Sequence, residues 1–478
     1  MLFSRSLIPT LPLLGLSESE KATIENLQAR ANACRHQMEL AEAYYLGEQV
    51  VENLRIAIPK ELEFLRTIVG WPAMAVDPYV ERLFADGFRV PTATDADQHI
   101  ADLMDENGFD SEQSLSFTDA LSMGRGYWCV GSPPESGAAP LVTVESPRNM
   151  AVEWDSRGLN AKSAMQEYWA DGRRCGALMV PGKTIQLAIN DDGAWEITDR
   201  DEHGFDLVPV VRMPHKARTH DRDGRSAITP ALRSLTDMAC RTLLGLEVSR
   251  ELYSVPQRVI LGAAESSFVG SDGTPKSAFD TYITKVLGLE RDEDGNLPEI
   301  RQLQPYDPSV FTKLLDWYAS AAAGEVAATP QDMGLYTQGN PASAEAVQAG
   351  ESRRDRRAVK MQAQFGVPLV RVAQMMLRFD NKGVLPREYE RLKVDWAPVT
   401  SPNKALDSDA ISKQVAAGAI PPTSDVTLKA LGYSAVDRAR LEQDRKTQAG
   451  KTAQQQIVDA LNGNGNQQGS ADGNPAGL

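Results

Sequence analysis

The sequence predicts an α+β fold that is mainly α and that contains more than one structural unit. Apolar residues recur at steps of three and four in the first third of the chain and again over 343–379, which indicates amphipathic helices. Short runs rich in β-forming residues fill the region 126–213. A chain of 478 residues is also longer than a single hydrophobic core normally supports.

The N-terminal third is predicted to be helical. Ser17 followed by Glu20 is a capping-box pattern, and the apolar periodicity after it predicts a helix that ends near Gly47. Residues 59–85 and 97–124 are also predicted as helices, the second with a break at its Asn-Gly pair. These segments form the start of an N-terminal region that extends to residue 225.

A sheet-bearing module follows, and after it a small insert between two helices. The module at 126–213 contains strand-like runs such as GYWCVG and TIQLAI, with a hairpin turn at 190–193. A helix is predicted over 226–252 and another over 308–328. Between them, residues 253–307 contain a strand-like run, a helical run and a second strand-like run, which predicts a β-α-β insert.

The last third is predicted to contain one long helix. A loop over 329–342 leads into the segment 343–404, which begins with the long helix and ends in a strand. Gly366 and Pro368 predict a kink in this helix, because proline removes a backbone donor and clashes with the preceding turn. Short helices are predicted beyond the strand. They are followed by a tail rich in Gln, Asn and Gly that is predicted to be disordered; the two ranges are 405–447 and 448–478.

The charge and the cysteines limit the function. A formal net charge of −15 argues against tight nonspecific wrapping of DNA, because that binding depends on neutralising phosphates. No stretch reaches the length of a membrane span, so no membrane partner is expected. The four cysteines are far apart and are predicted to be reduced core thiols: Cys34, Cys129, Cys175 and Cys240.

No pattern of an enzyme is present, and no cofactor or metal is predicted. The tripeptide GKT occurs twice, but a P-loop needs a further glycine five residues earlier, where Ala177 and Arg445 stand. Three histidines, His203, His215 and His220, lie near several acids, but solvated loop histidines explain them better than a metal site. No nucleophile and base pair at a catalytic spacing is found.

The most informative stretch lacks cations. Residues 314–352 contain no Lys or Arg. Their acids are Asp316, Glu325, Asp332, Glu345 and Glu351. Two interpretations stay open: a chance composition on a solvated helix-loop-helix, or a surface kept free of cations so that passing phosphates do not adhere.

A basic turn follows immediately. It contains Arg353, Arg354, Arg356 and Arg357, with Lys360 one turn later. These side chains could pair with the acids of a neighbouring subunit, contact phosphates, or form a plain solvated face. The sequence leaves the three possibilities open.

The order of these elements, with several local motifs, resembles the portal proteins of tailed bacteriophages, of the siphophage type and the Gp6-like family. The motifs cover nearly the whole chain. They are AYYLGEQ, VDPYVERLFADGF, ALSMGRGYWCVG, ESPRNMAVEWD, GFDLVPVVRM, GRSAITPALRSLTDMACRTL, NPASAEAVQAGESRRDRRAVKMQAQFG and AISKQVAAGAIPPTSDVTLKALGYS. The resemblance implies a non-enzymatic ring of usually twelve subunits with wing, stem, clip and crown, around a central channel for double-stranded DNA.

The resemblance also assigns the segments. It places the wing in 1–225 and 343–404, the stem in 226–252 and 308–328, the clip in 253–307, the tunnel loop in 329–342 and the crown in 405–447. The residues expected to face DNA in the tunnel loop are Gln331, Asp332, Tyr336, Thr337, Gln338 and Asn340. The other four acids of 314–352 are expected to line the channel.

The resemblance implies partners and a location as well. The ring would stand at one capsid vertex of the virion, after assembly in the host cytoplasm, and DNA would be packaged and ejected through it. The expected partners are the terminase large subunit, the head-tail connector, and the major capsid and scaffolding proteins. Two alternatives are another phage structural protein, from the neck or the capsid interior, and the terminase ATPase, which the missing P-loop disfavours.

Overall fold

The structure is a computed structural model of the chain. It describes residues 13–50, 65–91, 93, 96–133, 138–253, 258–261, 299–302, 307–329, 331–334, 344–399, 411–431, 433, 437–438, 440–441 and 443–448. Two compact units divide at residue 399, and each is described by itself. The predicted tail at 448–478 lies outside the described residues apart from its first residue.

The first helix confirms the predicted capping box. Helix α1 spans Glu18–Leu46, and the Ser17 and Glu20 side chains each bond the other residue's backbone N–H, at 3.4 and 2.8 Å. The helix ends at Gly47, whose φ of 71° is the left-handed conformation that glycine adopts without strain. Its apolar face packs against a five-stranded sheet, and Ile24 and Leu27 are fully buried there.

The prediction of a helix over 59–85 is wrong for most of its described part. Residues 51–64 lie outside the described ranges, and from 65 to 84 the chain forms only a 3-10 turn and the short helix α2 at Asp77–Val80. Strand β1 at Ala85–Arg89 follows, which the sequence did not predict. The helical prediction for 97–124 is confirmed. Helices α3 and α4 span Gln98–Glu106 and Phe109–Met123.

The predicted sheet module consists of two antiparallel sheets that share a hydrophobic cluster. Strands β2, β3 and β9 form one sheet, and β4 to β8 form the other in sequence order. The spans are β2 Arg125–Gly131, β3 Leu141–Glu145, β4 Met150–Trp154, β5 Ala161–Ala170, β6 Arg173–Val180, β7 Lys183–Ile189, β8 Trp195–Asp201 and β9 Val210–Pro214. The turn predicted at 190–193 joins β7 to β8, and Gly193 N–H bonds the Asn190 carbonyl at 3.0 Å.

The two helices around the insert are also found. Helix α5 spans Pro230–Tyr253 and packs along helix α6 at Ser309–Val326. Inside the insert, β10 at Arg258–Leu261 pairs antiparallel with β11 at Glu299–Gln302. The helical run predicted between them lies outside the described residues.

The long helix α7 spans Ala344–Asp380 and continues through Pro368. The kink predicted there stays a prediction. The helix passes strand β12 at Lys393–Trp396, where a Cβ on Gly366 would lie at an ordinary contact distance of 3.5 Å from Nε1 of Trp396. Strand β12 pairs antiparallel with β1, as a two-stranded sheet.

The main core of the first unit collects around α7. Phe365 of α7 is fully buried and stacks on Phe117 of α4 at a ring-centroid distance of 5.4 Å. The cluster also includes Trp128 of β2 and residues of α2, α3, α5 and α6. In the second unit, residues 411–416 and helix α8 at Asp425–Ala430 are helical, which confirms the predicted helical character of those parts of 405–447.

Two predictions need correction, one about the histidines and one about the cysteines. His215 is 1% exposed, with Nδ1 2.8 Å from the Arg225 carbonyl oxygen, so it is not a solvated histidine. Burial, and then the nearby Lys216 charge, lower its pKa to about 3, which keeps it neutral. All four cysteines are free as predicted, but only Cys129 and Cys240 are buried.

Glu20 provides a test of this architecture. Its burial raises the pKa, but hydrogen bonds from Lys183 at 2.6 Å, Ser17 and Arg200 outweigh it and lower the pKa from 4.5 to about 2. The carboxylate therefore stabilises the fold fully above pH 4.5, and the contribution disappears as pH falls towards 2. We expect Glu20→Gln to lower the unfolding free energy by about 2 kcal/mol at pH 7, with the loss shrinking below pH 4.5.

The matched control is Glu18→Gln in the same helical turn. Glu18 is 91% exposed and contacts only Lys21 among the described residues, so a much smaller and salt-sensitive change is expected. Denaturant unfolding of the three proteins between pH 7 and pH 3 makes the comparison. Equal stability of the two variants would contradict the role of Glu20.

Candidate functional site

The cation-free segment begins on helix α6. Pro308 precedes the helix, and Ala327 in the left-handed conformation ends it. Asp316 is exposed on its surface. Glu325 is half-buried near the helix end, where it accepts a hydrogen bond of 2.7 Å from the Thr229 hydroxyl at the start of α5. The two predicted acids on α6 therefore differ: Asp316 faces solvent, whereas Glu325 holds two helices together.

The chain after α6 forms a compact turn around Asp332. The Asp332 carboxylate accepts the Thr329 N–H at 2.8 Å, and the Asp332 N–H donates to the Thr329 hydroxyl at 3.3 Å. The carboxylate also pairs with Arg354 of α7, a residue that is 5% exposed. Burial raises the pKa of Asp332, but the bonds from Thr329 and Arg354 outweigh it and hold that pKa below its ordinary value.

The end of α6 is fixed to the core at two further points. The Tyr79 hydroxyl donates to the Val326 carbonyl at 2.8 Å, and both residues are buried. Arg357 of α7 donates to the Glu325 carbonyl at 3.0 Å. The predicted tunnel loop therefore begins where two hydrogen bonds fix the end of α6.

The predicted basic turn separates into two faces. Arg354 and Arg357 point back to the turn after α6, whereas Arg353 and Arg356 are exposed. Glu351, one of the predicted channel acids, is half-buried, 3.8 Å from the Arg82 guanidinium.

Other predicted site residues lie beyond what the structure describes. Tyr336, Thr337, Gln338 and Asn340 fall within the undescribed range 335–343, and the side chain of Glu345 is also outside the description. Gln331 is described and exposed, in a 3-10 turn with Asp332. No grouping of three or more His, Cys, Asp or Glu suited to a metal ion occurs among the described residues.

The structure reveals a basic cleft that the sequence reasoning missed. It has a volume of about 1500 Å³ and lies between the β4–β5 hairpin, the chain at 206–229 and one face of α7. Nine Lys or Arg residues and only two carboxylates, Asp206 and Glu325, line it. Five of the cations lie between positions 212 and 225, and four lie on α7: Arg357, Lys360, Arg371 and Arg378.

Several contacts fix the positions of residues that line this cleft. Arg212 pairs with Asp223, and its guanidinium lies 4.3 Å from the centre of the Trp154 ring. Arg371 donates to the Leu159 carbonyl at 3.0 Å. The sequence carried a usable signal, since α7 repeats its cleft-facing polar residues at helical spacing along one side of its apolar face.

Comparison with known proteins decides the family. A family model described as "Phage portal protein, SPP1 Gp6-like" matches residues 24–429. The chain belongs to this family. The portal protein of Mycobacterium phage D29 is 32% identical over 408 residues, which cover 84% of this chain and 83% of that protein. The portal protein of Mycobacterium phage L5 is 31% identical over 447 residues and 90% of each chain.

A weaker structural likeness is also found. A chain in a structure titled "Neck of empty GTA particle computed with C6 symmetry" has a TM-score of 0.39 and 15% identity, over 84% of this chain and 94% of that chain. A chain in "Neck of native GTA particle computed with C12 symmetry" has a TM-score of 0.38 and 15% identity, over 79% and 95%.

Membership in the portal family confirms the predicted function. The protein acts in DNA packaging at the portal vertex of the virion, as a structural and non-enzymatic component of an oligomeric ring. The fold is mixed α and β, as predicted in outline. Among the described helices, none is long and apolar enough to cross a membrane.

The pair of Arg354 and Asp332 provides a test of the anchored turn. We expect Arg354→Met to lower the unfolding free energy by about 1–3 kcal/mol, because it removes a charge-assisted hydrogen bond from the buried Arg354 to Asp332. Arg353→Met is the matched control, since Arg353 is exposed one position earlier, and its effect should stay within about 0.5 kcal/mol. Denaturant unfolding at pH 7 makes the measurement, and equal losses in both variants would contradict the anchor.

Proposed function

We propose that twelve copies of this portal protein form a ring with wing, stem, clip and crown around a channel for double-stranded DNA. In this proposal α5 and α6 are the stem, the insert at 253–307 is the clip, and α7 spans the wing. The helices of the second unit form the crown. The sheet module and the helices α1 to α4 complete the wing.

The geometry of the insert supports the stem and clip assignments. Helices α5 and α6 pack along each other so closely that a Cβ on Gly245 would lie 3.1 Å from Phe311. The antiparallel pair of β10 and β11 then brings the two ends of the insert together. A chain segment that begins and ends at the same end of a helix pair is suited to present a docking surface to a partner.

The absence of cations from 314–352 carries the proposal for the channel. A duplex that must slide needs a wall that does not hold its phosphates. Arg354 and Arg357, which follow this segment, are engaged inside the chain, so they add no free cation to such a wall. We infer that the wall includes Asp316, Glu325, Glu345 and Glu351, and that Gln331, Asp332, Tyr336, Thr337, Gln338 and Asn340 face the DNA.

Asp316 gives the clearest test, because it is exposed on α6 and its carboxylate has no ion-pair partner among the described residues. We expect Asp316→Lys rings to bind double-stranded DNA more tightly than wild type at low salt, with a steeper loss of affinity as salt rises. Fluorescence anisotropy with labelled DNA over a salt series measures both quantities. Electron-microscope images of the same samples verify that rings are present.

Glu25→Lys is the control for Asp316→Lys. It makes the same charge change at an exposed position of α1 and should leave DNA binding near the wild-type level. Equal gains in both variants would remove Asp316 from the channel. Wild-type protein that stays monomeric at all salt concentrations would contradict the ring.

The clip assignment implies that the terminase large subunit, and later the head-tail connector, dock on residues 253–307. The capsid and scaffolding proteins would contact other parts of the ring. Leu261 and Glu299 are cross-strand neighbours, so an Asn-Gly turn can replace residues 262–298 without separating the strands. We expect rings of this variant to form and to lose binding to the cognate terminase large subunit in a pull-down. Retained binding would contradict the assignment.

A further inference from the structure

The charge of the basic cleft is opposite in sign to the net charge of the whole chain. A protein with a formal net charge of −15 places nine Lys or Arg residues and two carboxylates around one cavity. Two of these cations, Arg212 and Arg225, pair with Asp223 and Asp221. Within the part of the chain that the structure describes, no carboxylate forms an ion pair with Arg218, Lys360 or Arg378. Like charges held together in this way raise the free energy of the isolated subunit, so the cleft is suited to receive an anionic partner.

A complementary acidic edge lies on the same subunit. Residues 191–202, which include strand β8, contain six carboxylates and one arginine. The arginine, Arg200, bonds Glu20 of α1 at 3.2 Å and does not neutralise its neighbours on the strand. Five of the carboxylates are exposed: Asp191, Asp192, Glu196, Asp199 and Glu202. No described Lys or Arg forms an ion pair with any of the six.

The sheet places these two surfaces apart. The cleft includes the hairpin between β4 and β5, whereas the acidic edge is on β8, and β4 and β8 are the outer two of the five strands. Leu13 and Leu14 bond beside Trp195 at the start of β8, and the exposed carboxylates of the edge lie around this contact. Four strand spacings separate them, which is about 19 Å. Two complementary surfaces at opposite edges of one rigid sheet are the arrangement from which identical subunits build a heterologous, ring-closing contact.

We propose that the basic cleft receives the acidic edge, residues 191–202, of a neighbouring copy of this chain. The inference rests on the proposed ring and names one of its subunit contacts. It also explains how subunits that all carry a large negative charge can associate, because local complementarity offsets their mutual repulsion.

The cleft fits a protein segment better than a small anion or a duplex. Its volume of about 1500 Å³ exceeds the roughly 300–1,000 Å³ of typical small-molecule sites. Its cations are partly recessed: Arg212 is 8% exposed, and Arg371 and Arg378 are half-buried. A narrow strand or turn can reach such groups, whereas the phosphates of a duplex lie on a wide convex surface.

The experiment reverses each surface separately. The cleft variant carries Arg218→Glu and Lys360→Glu, and the edge variant carries Glu196→Lys and Asp199→Lys; all four side chains are exposed. In the proposed contact these exposed cleft cations face these exposed edge carboxylates, so each variant alone would bring like charges together at the changed positions of every contact. We expect the subunit concentration for half assembly to rise at least about tenfold. An equimolar mixture should recover rings, because alternating subunits restore an opposite-charge pair at every contact.

A single chain with all four changes should also assemble, since the changed positions of its cleft meet oppositely charged positions on the edge of the next copy. The control combines Arg353→Glu with Glu25→Lys, two exposed positions outside both surfaces, and should assemble like wild type. Native mass spectrometry and electron microscopy measure ring formation, and circular dichroism verifies that every variant is folded.

The outcomes separate the two levels of the proposal. Recovery in the mixture supports the cleft–edge contact. Wild-type assembly of both single variants would overturn it and leave the ring intact. Normal rings of the cleft variant with weaker, less salt-dependent DNA binding would overturn it in favour of a phosphate site. Wild-type protein that never forms rings would contradict the ring itself.

Discussion

The packing of the apolar face of α7 fixes the positions of most other parts of the first unit. Ala358, Phe365, Leu369 and Val372 of this face are completely buried, and they contact segments from both halves of the chain. Strand β12 lies beside the helix at Gly366, where Trp396 is 3.5 Å from the position that a Cβ would take. Because this face is continuous over six turns, it determines the rotation of the helix about its axis.

The rotation of α7 in turn decides where its charges point. Residues three and four apart on a helix share a face. The buried apolar face of α7 therefore leaves its polar residues on the two sides that flank this face. Lys360, Arg371 and Arg378 face the basic cleft, whereas Arg354 faces the turn after α6. The distribution of charge on the subunit is therefore a consequence of core packing, and repacking the core would alter the proposed channel and the proposed subunit contact together.

The sequence predicted features that depend on neighbouring residues. The capping box of α1, its end at Gly47 and the hairpin turn at 190–193 are all set by a few adjacent positions, and the structure has each of them. Strand β1 was missed because its partner β12 is about 300 residues away, and its own letters, ADGFR, carry no alternation of apolar and polar residues.

Tertiary contacts explain the other differences. His215 was predicted to be solvated, but its backbone pairs with Gly124 and Arg225, and a Cβ on Gly224 would lie 2.6 Å from the His215 carbonyl oxygen. Such a close backbone approach cannot be inferred from a polar loop sequence. The basic cleft combines positions 212–225 with positions 357–378, which only the fold brings together. The family resemblance identified the protein, but it could not reveal this surface.

The basic turn after the cation-free segment shows how one local motif can satisfy opposite requirements. Arg354 and Arg357 bond the turn at Asp332 and the end of α6, whereas Arg353 and Arg356, each one position earlier and so rotated by about 100°, are exposed. The inward pair fixes the turn at Asp332 and the end of α6, while the outward pair stays exposed. A channel wall that must not hold phosphates still needs a rigid support. Arginines directed away from the wall can provide that support without adding cations to it.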